Sequence, residues 1–129
     1  MSNLRTPLSR VRLLGSAKDG TAKFIMQRVT ALALIPLLLW FVSSIIFYIH
    51  KADHAALVSW IASAWNSELL ILLLINLFYH TVIGLQEVIE DYVHSHYMKL
   101  FMIIFIKFFF IIIGLASILA VLKMLPFLQ

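Results

Sequence analysis

The stretch 69–89 reads LLILLLINLFYHTVIGLQEVI and is apolar along most of its length. The hydrocarbon core of a membrane is about 30 Å thick and a helix rises about 1.5 Å per residue, so about 20 such residues cross it. The stretches 24–49 and 98–122 have the same character. The sequence therefore predicts an all-α membrane protein with three transmembrane helices.

The composition of the whole chain agrees with this prediction. Of 129 residues, 63% are hydrophobic and 12% are charged, and the mean hydropathy is +1.01. A soluble domain is nearer half apolar and a quarter charged, which excludes a soluble enzyme. The absence of cysteine excludes disulfides and iron–sulfur clusters held by this chain. The length predicts a single domain over 1–129.

The charges predict the orientation of the helices. The basic tail 1–23 carries five cations against one carboxylate: Arg5, Arg10, Arg12, Lys18 and Lys23 against Asp19. Positive loops stay on the cytoplasmic side, so the N-terminus is predicted to be cytoplasmic and the C-terminus periplasmic. The loop 50–68 then lies outside and the loop 90–97 inside. Membrane orientation accounts for the net charge of +4, so no nucleic acid partner is expected. The polar start predicts no cleaved signal peptide.

Polar residues interrupt the second span in a regular pattern. At about 100° per residue they form one stripe, which therefore faces protein or a cofactor rather than lipid. The members of the stripe are Asn76, His80, Gly84, Glu87 and Asp91.

His80 lies deep in the second span, where a neutral imidazole can ligate haem iron. Gly84, one turn on, lacks a side chain and would let a flat macrocycle approach the helix. The other histidines lie at helix ends or in loops, so a second axial histidine would come from another chain. A hydrogen-bonded packing group, or a proton path, is the alternative interpretation of one histidine in a span.

Three other polar residues are candidates for binding. Tyr92 and Asp91, side by side at the inner end of the span, could bind and protonate a quinone carbonyl, although an interfacial aromatic beside a solvated turn is the simpler alternative. Arg28, at the start of the first span, either snorkels to the headgroups or pairs with an anion such as a haem propionate.

The stretch 79–94, YHTVIGLQEVIEDYVH, resembles the second membrane helix of a known family, the succinate dehydrogenase hydrophobic membrane anchor subunits of respiratory complex II. The first helix is also similar, with a basic tail before an Arg-x-Thr-Ala start at Arg28, Thr30 and Ala31. The shared pattern of the second helix, with every spacing matched, consists of His80, Gly84, Gln86, Asp91 and Tyr92.

The resemblance implies a role in the respiratory chain and the tricarboxylic acid cycle. His80 would be one axial ligand of a haem b shared with the cytochrome b subunit of the complex. Tyr92 would hydrogen-bond ubiquinone with support from Asp91, and Arg28 would lie near the propionates or the quinone. The chain, itself non-catalytic, would anchor the flavoprotein and iron–sulfur subunits in the lipid of a bacterial inner membrane. Glu87 departs from the family pattern, in which an apolar residue is expected.

Three other functions remain open at this point. The first is a fumarate reductase-type anchor that uses menaquinone. The second is a structural membrane protein without cofactors. The third is a small proton channel in which His80 and Glu87 form the relay.

Overall fold

The structure, a computed structural model, describes residues 16–126. Three long helices account for most of this part of the chain: α1 (Ser16–Phe47), α3 (Ala64–Tyr92) and α4 (His96–Lys123). Each is long and apolar enough to cross a membrane. The prediction of an all-α protein with three transmembrane helices is confirmed.

Each of the three helices begins before its predicted span, although α1 ends at Phe47, two residues before the predicted end at 49. Helix α1 begins at Ser16, inside the predicted tail 1–23, and α3 continues to Tyr92, so only residues 93–95 separate it from α4. The predicted inner loop 90–97 is therefore mostly helical. A hydropathy window marks only the part of a helix that lies in hydrocarbon, whereas good helix formers such as Ala, Lys and Glu continue the helix beyond it. Arg5, Arg10 and Arg12 lie outside the described residues.

The predicted outer loop 50–68 contains a short helix, α2 (His54–Ala62), after a 3₁₀ turn at Ile49–Lys51. Asp53 caps α2, since its side chain accepts a hydrogen bond of 2.8 Å from the backbone N–H of Ala56. Trp60 of α2 stacks on Trp40 of α1, with ring centroids 5.7 Å apart. The prediction of a plain loop was wrong because α2 is too short to register as a span.

Helix α3 is the centre of the bundle and packs against both α1 and α4. The contact with α4 is close at Gly114, where an added Cβ would lie 3.3 Å from a ring carbon of Phe78. Few side chains are buried, and most large apolar ones are exposed, including the stacked rings of Phe101, Phe105 and Phe109 on α4. The three helices therefore leave a large apolar surface for lipid or other chains.

One end of the bundle, which we call the Glu90 end, is joined by polar contacts. The Oε1 atom of Glu90 accepts hydrogen bonds from Lys23 Nζ (2.8 Å) and Gln86 Nε2 (2.7 Å). Lys99 Nζ donates to the backbone oxygen of Glu90 (2.9 Å). These contacts bring together the start of α1, the end of α3 and the start of α4, so the Glu90 end also holds Asp91 and Tyr92.

Candidate functional site

His80 contacts α1 through a single hydrogen bond. Its Nδ1 atom lies 2.9 Å from Oγ1 of Thr30. Thr30 is buried, with 4% of its surface exposed, and its hydroxyl lies 2.7 Å from the backbone oxygen of Met26 and 3.1 Å from that of Gln27. A hydroxyl has one hydrogen, and it is used on these carbonyls of α1. The His80 Nδ1–H therefore donates to Thr30, and Nε2 is the ring nitrogen with the free lone pair.

His80 lines a polar cavity of about 440 Å³ between α1 and α3. Among residues 20–126, no hydrogen-bond partner is present for Nε2. Arg28 lines the same cavity, and its guanidinium lies 5.1 Å from the centroid of the Phe24 ring, one turn earlier on α1. The cavity thus combines a nitrogen lone pair, a cation and an aromatic face. Its lining residues are Phe24, Gln27, Arg28, Ala31, His80 and Glu87.

Glu87 lies in this cavity beside Gln27 of α1. With the Gln27 amide assigned so that its nitrogen faces the carboxylate, that nitrogen lies 2.6 Å and 2.9 Å from the two carboxylate oxygens. A carboxylate inside an apolar span is costly unless it is hydrogen-bonded. The partner that the sequence left undefined for Glu87 is therefore Gln27.

Gly84 lies on the α1-facing side of α3, between His80 and Glu87. An added Cβ there would lie 3.9 Å from the Gln27 amide, which is ordinary van der Waals contact. The packing of α1 on α3 does not itself require glycine at this position. The expected role of Gly84 beside a macrocycle stays a prediction.

Asp91 and Tyr92 lie apart from the cavity, at the Glu90 end. Both are exposed, Tyr92 by 77%. Within residues 20–126, neither the Asp91 carboxylate nor the Tyr92 hydroxyl has a hydrogen-bond partner. The residues are adjacent at the end of a helix, with nothing in this part of the chain covering them. Their role at a quinone site stays a prediction.

The predicted stripe on α3 is only partly one site. The structure brings His80, Gly84 and Glu87 together against α1. The Asn76 side chain instead donates a hydrogen bond of 2.9 Å to the backbone oxygen of Leu72 in its own helix, and Asp91 is exposed. Sequence reasoning did not assign Thr30, Gln27 or Glu90 to contacts. The sequence offered only a weak indication of these contacts. Polar residues of α3 inside a membrane need hydrogen-bond partners, and the polar residues of the neighbouring span α1 can supply them.

The donors present here suit a porphyrin iron better than a bare metal ion. Among residues 16–126, no group of three or more His, Cys, Asp or Glu side chains is placed to hold a metal. Haem iron takes four nitrogens from its macrocycle and needs only axial ligands from the protein. One histidine with a free Nε2 beside a cation fits that requirement.

Comparison with known proteins assigns the family. The model for the succinate dehydrogenase/fumarate reductase transmembrane subunits matches residues 2–114. The chain belongs to this family. It is 30% identical over 120 residues to the succinate dehydrogenase hydrophobic membrane anchor subunit of Rickettsia bellii (strain RML369-C), covering 92% of this chain and 94% of that protein. The same subunit of Rickettsia typhi (strain ATCC VR-144 / Wilmington) is 29% identical over 107 residues, covering 82% of this chain and 84% of that protein. No solved structure matches significantly.

The resemblance deduced from residues 79–94 is confirmed by this family assignment. The chain is a membrane anchor subunit of succinate dehydrogenase, and its three apolar helices make it a multi-pass membrane protein. The described helices account for much of what such an anchor requires, since each has the length and composition of a span. Haem, ubiquinone and the identity of the membrane stay predictions.

Proposed function

We propose that this anchor subunit holds the flavoprotein and iron–sulfur subunits of a succinate dehydrogenase at a bacterial inner membrane. Its His80 is one axial ligand of a haem b shared with the cytochrome b subunit, and its Tyr92 and Asp91 form part of the ubiquinone site. The family and the named relatives support the anchor role. The cavity at His80 supports the haem, and the exposed Asp91–Tyr92 pair supports the quinone site.

One observation carries the haem proposal: the Nε2 lone pair of His80 is free, and His80 lines a cavity together with Arg28. Metal-ligating histidines commonly donate their other ring N–H to an oxygen, which fixes the tautomer. The hydrogen bond from Nδ1 to Thr30 has this form. A packing histidine would use the same bond, so the haem proposal rests on the free Nε2 together with the cavity that His80 lines with Arg28.

Four of the six side chains that line the cavity have a defined task in this proposal. His80 would bind the iron through Nε2, and Arg28 would pair with a propionate. Phe24 and Ala31 supply apolar surface that limits the entry of water. Bound haem supplies one-electron chemistry at a potential set by its axial ligands and their hydrogen bonds.

The Glu90 end has the features of a quinone site near a membrane surface. From His80 to Tyr92 is about 18 Å along the helix, so the two sites lie at different depths. The exposed Tyr92 hydroxyl is a free donor for a quinone carbonyl, and Asp91 offers a carboxylate beside it. The charge of the basic tail supports a cytoplasmic location for this end, where a soluble succinate-oxidising partner would bind.

The test is a reduced-minus-oxidised spectrum of the complex purified through this chain. We expect a low-spin b-type haem in the complex and no stable haem in the isolated chain, because only one deep histidine is present. A complex without visible absorbance would support a cofactor-free structural protein instead. Quinone extracted from the same complex separates ubiquinone from menaquinone, and thereby this proposal from a fumarate reductase-type anchor.

A further inference from the structure

We infer that Thr30 is the positioning residue for His80: its hydroxyl oxygen fixes the imidazole tautomer and ring orientation and thereby tunes the electronic properties of the bound iron. The inference rests on the proposed function, since it assigns a role to Thr30 only if His80 ligates haem. Thr30 lies on α1 and His80 on α3, so the bond joins two spanning helices.

The hydrogen bonds of Thr30 define the direction of the contact. The Thr30 hydroxyl donates to the backbone of α1, with its Oγ1 atom 2.7 Å from Met26 O. The oxygen lone pairs therefore remain for His80, at 2.9 Å from Nδ1. With the reverse direction, Nδ1 would be the acceptor and Nε2 would carry the proton, and the histidine could not ligate through Nε2. The arrangement at Thr30 thus selects the tautomer that leaves Nε2 free.

Thr30 is also held rigidly enough to orient the ring. It is one of the few buried residues of α1, with 4% of its surface exposed. Its β-branched side chain has few rotamers in a helix, and the bond to the preceding turn selects one of them. A fixed acceptor holds the imidazole plane, and an N–H donor bond raises the basicity of the opposite nitrogen.

Thr81 provides a matched control within the same region. It follows His80 directly on α3, and its hydroxyl donates to Leu77 O of its own helix at 2.7 Å. Neither His80 nor any residue of α1 is its partner. Thr81→Val removes a threonine hydroxyl from the membrane region, as Thr30→Val does, without removing a hydrogen-bond partner of His80.

The experiment uses the whole complex carrying Thr30→Val, Thr30→Ser or Thr81→Val, with haem content, electron paramagnetic resonance and midpoint potential measured for each. We expect Thr30→Val to weaken haem retention about 10- to 100-fold, shift the low-spin signal and raise the potential, because a less basic ligand stabilises ferric iron less. Thr30→Ser keeps the hydroxyl and should restore all three, and Thr81→Val should match the wild type. A purely structural role would change assembly without moving the potential of the haem that remains.

Two results would overturn the inference: wild-type signal and potential in Thr30→Val, or shifts of equal size in Thr81→Val. If Thr30→Val fails to assemble, Thr30→Cys keeps the size but weakens the acceptor, and an unshifted potential there is equally decisive. The proposed function fails separately, through a wild-type complex without haem or a His80→Ala complex with an unchanged signal. If the resonance signal changes in the His80→Ala complex but signal and potential stay at wild-type values in the Thr30→Val complex, only the role of Thr30 is rejected.

Discussion

The Nζ atom of Lys23 lies 2.8 Å from Oε1 of Glu90 and joins the start of α1 to the last turn of α3. Gln86 and Lys99 bind the side chain and the backbone of the same glutamate. Glu90 directly precedes Asp91 and Tyr92, so these contacts hold the segment that carries the proposed quinone ligands.

The Lys23–Glu90 pair should contribute modestly to stability. Both side chains are more than a third exposed, and pairs of this kind contribute about 0.2–1 kcal/mol. We expect a coupling of that size in a double-mutant cycle of Lys23→Met and Glu90→Gln, measured by unfolding of the complex in detergent. The matched cycle of Lys23→Met and Glu68→Gln should show none, because Glu68 lies near the opposite end of α3. Zero coupling between Lys23 and Glu90 would contradict the pairing.

Removing the partner of Glu87 should destabilise the α1–α3 contact. Gln27→Leu leaves the carboxylate without its donor and should cost about 1–3 kcal/mol. The double variant Gln27→Leu with Glu87→Leu should recover most of the loss, because no polar group is then left unpaired. Detergent unfolding of the single and double variants measures this. If the losses of unfolding free energy in Gln27→Leu and Glu87→Leu simply add in the double variant, the two side chains do not interact.

The two helical glycines in the membrane region should respond differently to substitution. Gly114→Leu drives a side chain into Phe78 at the α3–α4 contact and should cost about 1–3 kcal/mol. Gly84→Ala has room within the chain and should not destabilise the complex, because alanine favours a helix more than glycine does. If a macrocycle packs on Gly84, the same alanine will lower haem content. Full haem content in a stable Gly84→Ala complex would remove Gly84 from the haem pocket.

Much of the fold could be predicted because hydropathy directly reports which helices lie in hydrocarbon. The sequence identified all three spans, but it did not indicate α2, which the Asp53 cap and the stacking of Trp60 on Trp40 stabilise. It identified His80 as a candidate from its depth. It could not identify Thr30 or Gln27 as partners, because those contacts depend on how α1 rotates against α3, and the weakly amphipathic α1 does not define that rotation.

Tyr92→Phe should lower ubiquinone reduction while succinate oxidation with an artificial soluble acceptor stays intact. Loss of one hydrogen bond to a neutral carbonyl costs about 0.5–1.5 kcal/mol in binding, and more if the phenol also transfers a proton. Parallel assays with the two acceptors separate the quinone site from the succinate site. The haem spectrum serves as the control, since Tyr92 is about 18 Å from His80 along the helix. Unchanged ubiquinone kinetics would reject Tyr92 as a ligand.

The most direct test of the central claim is the low-temperature electron paramagnetic resonance spectrum of the oxidised complex carrying His80→Ala. Activity is a poorer measurement, because electrons could reach quinone from the iron–sulfur subunit without passing through haem. If His80 ligates the iron, the variant loses one axial bond, and its spectrum should show high-spin iron or a changed low-spin signal. A wild-type low-spin signal at full haem content would show that His80 only packs against Thr30.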